Sequence, residues 1–229
     1  AASDSYERGV VWSPDSKRVV AIKQKNGGDR KVYLIESSPG DQLQPKLSSY
    51  DYLKPGDEIP QDKPHLFDAT EKKEIPVSDD LFKNPWSVTD VRWQPDSGRF
   101  TFVYNQRGHQ VLRIVVVDAN TGEAAALIDD KSDTFIDYAH KQFAHYADKT
   151  NEIIWMSERV GWNHLYLHDS RTGQVKNQIT KGPWIVRGVD RVDEEKREIW
   201  FRAGGIYPEQ DPYYIHYCRV KFDGSDLVT

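Results

Sequence analysis

Side chains able to do acid–base, metal or ion-pair chemistry are thinly spread along this chain. His164 and His168 stand four residues apart in His-Leu-Tyr-Leu-His. On a strand they share a face, but the strand rise separates them by about 13 Å, too far for one metal ion. His140 and His145 have no third ligand near them in sequence. A hydrolase nucleophile on a strained elbow needs G-x-S-x-G, and a zinc peptidase helix needs H-E-x-x-H. Neither occurs, nor does C-x-x-C, a P-loop or G-x-G-x-x-G. Carboxylates are many but evenly spaced, as solvated turns require, and a glycosidase pair would converge only in space. The expectation is a chain with no complete catalytic centre, no metal and no cofactor. Charge and aromatic surface do gather in short stretches, notably Glu158-Arg159 with Trp162, and Phe135 with Tyr138. Residues of that kind bind.

The elements that must position them come as a repeat. Trp12-Ser-Pro-Asp-Ser-Lys-Arg-Val-Val-Ala-Ile and Trp93-Gln-Pro-Asp-Ser-Gly-Arg-Phe-Thr-Phe-Val each read as strand, Pro-Asp-Ser turn, strand. Weaker copies lead into Glu152-Ile-Ile-Trp-Met and Glu198-Ile-Trp-Phe. A second element follows each first one: a strand, an Asp, a short polar turn and another strand. Its aspartates stand at Asp68, Asp118, Asp169 and Asp223, at intervals of 50, 51 and 54 residues.

Four short strands per unit of roughly 40–50 residues is the pattern of propeller blades. An antiparallel sandwich also has Asp-Gly hairpins, but not two distinct elements in matched order four times over. The fold class expected is all-β, four four-stranded blades of a larger ring, with residues 1–229 as one partial propeller domain. The blades fall near 10–78, 88–130, 142–181 and 187–229. The first unit carries an insertion over 37–64, rich in proline, which disfavours central strands and helix interiors. It reads as an extended arm covering a blade edge, with contact to a partner as the alternative. Gly27-Gly28 and Gly204-Gly205 read as hairpin loops.

In such a blade the loops 78–87, 130–142 and 181–188 share a face with 105–109, 158–163 and 203–212. They hold Trp86, Phe135, Tyr138, Arg159, Trp162, Trp184 and Tyr207. Loops on a rigid scaffold carry function, so this face is the candidate binding face. Trp86 and Trp184 have a second reading, as plugs between blades.

Composition narrows the partners. The net charge is −5, so no basic excess favours nucleic acid or an anionic membrane. No run of about 18 apolar residues predicts a membrane helix. One cysteine, Cys218, excludes an intrachain disulfide. Compartment is not legible from this.

Three stretches carry a family resemblance: Trp12-Ser-Pro-Asp-Ser; Tyr52-Leu-Lys-Pro-Gly leading to Pro64-His-Leu-Phe-Asp; and Glu158-Arg-Val-Gly-Trp-Asn-His-Leu-Tyr followed by Ile179-Thr-Lys-Gly-Pro-Trp-Ile-Val. The chain resembles the N-terminal propeller domain of the dipeptidyl peptidase IV family of serine exopeptidases, bacterial members above all. That resemblance implies an eight-bladed ring ahead of an α/β-hydrolase domain, which would supply the Ser-Asp-His triad. The propeller would gate access and hold the peptide's N-terminus for release of dipeptides. The partners implied are that hydrolase domain and a peptide substrate. The implied compartment is periplasmic, secreted or membrane-anchored. The position of the family's amine-binding Glu pair falls on Ala1 and Ala2 here, and Glu7 lies too close to Trp12 to replace it, so either the pair is absent or these first residues do not follow the family register. A substrate-flanking loop of the family resembles 133–140, placing Phe135 and Tyr138 there. Glu158, Arg159 and Trp162 complete the candidate substrate-binding set. A catalytically inactive propeller that binds proteins or peptides is the rival reading, and a sugar-directed propeller ranks last. An open segment of a ring would also expose sheet faces and self-associate.

Overall fold

The computed structural model describes residues 5–229. Its regular structure there is β apart from one short 3-10 turn at Asp148–Thr150. The strands are β1 (Ser5–Trp12), β2 (Arg18–Lys25), β3 (Lys31–Glu36), β4 (Lys46–Asp51), β5 (Gln61–Asp68) and β6 (Lys73–Ile75). There follow β7 (Pro85–Trp93), β8 (Arg99–Gln106), β9 (Val111–Asp118), β10 (Ala124–Lys131), β11 (Ala144–Ala147) and β12 (Glu152–Ser157). The last are β13 (His164–Asp169), β14 (Val175–Gln178), β15 (Ile185–Asp193), β16 (Glu198–Gly204) and β17 (Ile215–Lys221).

They form four antiparallel meanders in chain order: β1-β2-β5-β6, β7-β8-β9-β10, β11-β12-β13-β14 and β15-β16-β17. These are propeller blades, and they do not close a ring. The expectation of four strands in every blade needs correcting at the last. Its sheet has three, with a single bridge from Arg219 to Val228 where an outer strand would pair.

The middle strands of the second and third blades are buried on both faces because each of these blades is sandwiched between two others. Along β8, Phe100, Phe102 and Tyr104 pack toward the first blade, while Val103 packs toward the third. Along β12, Ile153 and Trp155 join the second blade, and Ile154 and Met156 join the fourth. The period of two therefore sorts side chains between neighbours rather than between core and water, and these strands read as continuous apolar runs.

The turns are local chemistry. Ser16 and Ser97 take φ of 59° and 60°, closing the two Pro-Asp-Ser turns. Asp68, Asp118 and Asp169 each accept two backbone N–H bonds from the residues two and three further on, and Asp223 accepts one from Ser225. Beyond two of those aspartates, Gly122 and Gly173 have φ of 73° and 74°. A Cβ at either would collide with a main-chain carbonyl of the preceding blade, at Pro76 or Leu127. The repeated Thr-Gly is thus where one blade rests on the next. The innermost strands β1 and β7 each carry a bulge three residues before a tryptophan, at Gly9 and at Asp90, both with positive φ. Sequence gave no sign of these bulges.

The insertion differs from the expected arm over 37–64. Lys31–Glu36 and Lys46–Asp51 pair as a hairpin, and 61–64 already belong to β5. Proline density misled because the prolines cluster in the turns and at Pro64. That residue pairs with Ile22 on one side, and β6 reaches only Leu66–Asp68 on the other. The hairpin covers no blade edge: Tyr33, Ile35 and Leu47 on it are 65%, 72% and 69% exposed.

Candidate functional site

The ends of β8, β10 and β12 and the starts of β9, β11 and β13 meet on one face. There the second and third blades enclose a cavity of about 430 Å³. Its apolar wall includes Leu112, Phe135 and Met156, and its polar wall includes Asp130, Glu158 and Arg159. Of the five residues singled out by sequence, the fold brings Phe135, Glu158 and Arg159 to this cavity. Tyr138 stands behind it, its ring stacked on His109 at 4.2 Å. Trp162 is 44% exposed near the end of the β12–β13 loop and does not line the cavity.

Arg159 is held on three sides. Its Nε–H donates to Ser157 Oγ at 3.0 Å, Nη2 donates to Asp130 Oδ1 at 2.9 Å, and the guanidinium lies 4.4 Å from the centre of the Tyr166 ring. Trp155 donates its indole N–H to the other oxygen of Asp130 at 2.7 Å. Glu158 accepts from Lys141 Nζ at 2.6 Å. Asp129 is bound by Arg113 and Lys131. Burial pushes the Tyr166 phenol up, with Arg159 opposing that shift and Asp130 adding to it. Ser157 pairs with His164 across the sheet, but its hydroxyl accepts from Arg159 while both nitrogens of His164 bond Thr180 Oγ1 and the Gly182 carbonyl, so the constellation can bind charge but the histidine does not activate the serine.

Beside the cavity, Trp86, His109, Phe135 and Tyr138 form an aromatic cluster with centroids 4.2 to 6.4 Å apart. Burial pushes the His109 imidazole down. Trp86, expected in a loop, opens β7 and is 46% exposed. Trp184 is buried instead, edge-on to His164 and stacked on Phe201, and plugs the gap between the third and fourth blades.

The other histidines have separate partners. His164 bonds Thr180 Oγ1 and the Gly182 carbonyl, and His168 bonds the Gly173 carbonyl. His140 meets Asp137, and His145 meets Glu194. Among the described residues no three His, Cys, Asp or Glu side chains gather to hold a metal. No helix among them is long and apolar enough to cross a membrane. Burial raises the Cys218 thiol to about 11, which keeps it protonated at neutral pH. Ala1 and Ala2, where the amine-binding pair was sought, lie outside the described residues.

A recess of about 310 Å³ on the opposite face is lined by Arg92, Tyr146 and Asp148. Within it Arg92 Nη2 meets Asp148 Oδ2 at 2.7 Å and the guanidinium covers the Tyr146 ring. Sequence reasoning passed over Asp130, Lys141 and His109. The first two acquire meaning only through partners 29 and 17 residues away.

Comparisons with known proteins agree with this architecture. The model of the dipeptidyl peptidase IV N-terminal region matches residues 5–227. A probable dipeptidyl-aminopeptidase B of Botryotinia fuckeliana is 21% identical over 240 residues, covering 95% of this chain and 26% of that protein. Among solved structures, the Porphyromonas gingivalis dipeptidyl peptidase 4 aligns with a TM-score of 0.74 at 17% identity, over 96% of this chain and 30% of that one. A putative dipeptidyl aminopeptidase IV from Bacteroides ovatus aligns with a TM-score of 0.65 at 18% identity, over 96% and 32%. The chain thus spans between a quarter and a third of the length of each relative.

Proposed function

The chain belongs to the family of dipeptidyl peptidase IV N-terminal regions, and from that premise we propose that it is the non-catalytic propeller portion of a serine-type dipeptidyl peptidase. A separate α/β-hydrolase domain would carry the triad. These blades would be part of an eight-bladed ring that gates the cavity and helps bind the peptide's N-terminal segment through Phe135, Tyr138, Glu158, Arg159 and Trp162. The observation carrying this reading is the cavity that joins Phe135, Glu158 and Arg159 on the loop face. Fixed charges beside an aromatic wall suit a peptide, whose amides and termini need charge-assisted bonds and whose side chains need apolar cover. Outer faces left uncovered, at Trp12 and at Tyr217, support contact with further blades or with other copies.

The full-length protein should release a dipeptide from a Gly-Pro chromogenic substrate. If it does not, while its hydrolase domain is folded, a peptide-binding propeller without activity becomes the reading. The alanines at the position of the amine-binding pair favour that second reading. Light scattering tests self-association, and a monodisperse monomer at high concentration would remove it.

A further inference from the structure

We infer that the cavity between the second and third blades recognises a carboxylate carried by the peptide, and that Arg159 receives it. This rests on the reading that peptides enter this face.

Arginine has five N–H donors in a planar fork that matches a carboxylate. Here one is used by Ser157 and one by Asp130. Asp130 engages through one oxygen only, because its other oxygen is taken by the Trp155 indole and Trp155 is fully buried. Nη1 has no partner among the described residues, so the outer edge of the fork stays available. The Tyr166 ring beneath and Ser157 beside it fix the plane. An arginine already ordered in this way loses little rotamer freedom when it binds.

The surrounding charge permits an anion. Asp129 is bound by Arg113 and Lys131, and Glu158 by Lys141, so each of the other acids on the wall has its own cation. Lys131 and Lys141 line the cavity together with the acids they pair, so the wall beside Arg159 is balanced in charge rather than acidic. Phe135, 53% exposed, and the buried Leu112 and Met156 offer apolar cover to the methylenes that lead to it. Charged fork, apolar wall and confined volume together describe a short chain ending in a carboxylate. An acidic side chain and the C-terminal carboxylate of a short peptide share that chemistry.

Isothermal titration of the full-length protein, its catalytic serine blocked by a fluorophosphonate, separates the sources. The probes are Gly-Pro-Glu-Gly amide, Gly-Pro-Gln-Gly amide and Gly-Pro-Gln-Gly free acid. At least one acidic probe is expected to bind about tenfold more tightly than the neutral amide, and which one identifies the source. Arg159→Met should abolish that advantage, and Arg159→Lys, which keeps the charge but loses the fork, should keep only part of it. Thermal unfolding checks that each variant is folded. If Arg159→Met does not fold, Arg159→Lys decides: an undiminished advantage there overturns the inference. Equal binding of all three probes, no binding of any, or an advantage that survives in folded Arg159→Met also overturns it. Hydrolysis of the Gly-Pro chromogenic substrate is scored separately. Turnover without a carboxylate advantage sinks this inference alone, and an Arg159-dependent advantage without turnover sinks the peptidase reading alone.

Discussion

Trp155 Nε1 donates to Asp130 Oδ2 at 2.7 Å, from the second strand of the third blade to the outer strand of the second. The bond ties two blades together. It also determines which carboxylate oxygen is left for Arg159.

Trp155→Phe keeps an aromatic ring in a fully buried place and removes the donor. Asp130 Oδ2 then lacks its partner, and the chain is expected to lose about 1–3 kcal/mol of stability. Chemical denaturation of variant and wild type measures this, and an unchanged midpoint would show that the bond contributes nothing.

Glu152 is a second clasp. It is 2% exposed and accepts from Arg197 and Thr150 at 2.7 Å and from Lys176, linking the third blade to the turn between β15 and β16. Burial would raise its carboxyl, but the bonds from Arg197, Lys176 and Thr150 outweigh burial and lower it to about 2. The unfolded group titrates near 4.5. The clasp therefore stabilises fully above that pH and fades as pH falls toward 2. Glu152→Gln should cost about 1–3 kcal/mol near neutrality. The gap between variant and wild type should close on acidification, and a gap that stayed constant down to pH of about 2 would contradict this.

His164 and His168 open a higher acid window. Burial lowers both imidazoles, with the Gly182 and Gly173 carbonyls opposing it. From 6.5 downward the unfolded chain takes up protons that the folded chain refuses, so stability falls as pH drops below that value. Unfolding temperatures between pH of about 8 and 5 should show the decline, and His164→Gln should flatten part of it. A wild-type profile level across that range would refute the assignment.

Gly173→Ala tests the seating of one blade on another. Its φ of 74° costs an L-residue roughly 1 kcal/mol, and the Leu127 carbonyl would have to move as well. Gly108 has φ of 97° with open space around it. Gly173→Ala should therefore lower the unfolding temperature clearly more than Gly108→Ala, and equal shifts would mean that the seating is loose.

Much of this was legible beforehand because it is local. The Asp at 68, 118, 169 and 223 closes its own turn through neighbours two and three residues on, so the spacing alone marked the hairpins. The Phe100-to-Tyr104 and Ile153-to-Met156 runs carry mostly apolar residues on both faces, because a blade lies against each side. The bulge at Asp90 left no mark, since an aspartate in a left-handed conformation resembles any turn aspartate in sequence.

By itself the sequence determined the repeat, the turn chemistry and the absence of a complete catalytic motif, all set by contacts within a few residues. Only the stacking of blades decided which acid meets Arg159, why Trp184 is buried while Trp86 is half open, and that Tyr138 packs on His109 instead of lining the cavity. Those outcomes depend on distances between separate sheets, and strand periodicity says which face a side chain takes but not which neighbour waits there.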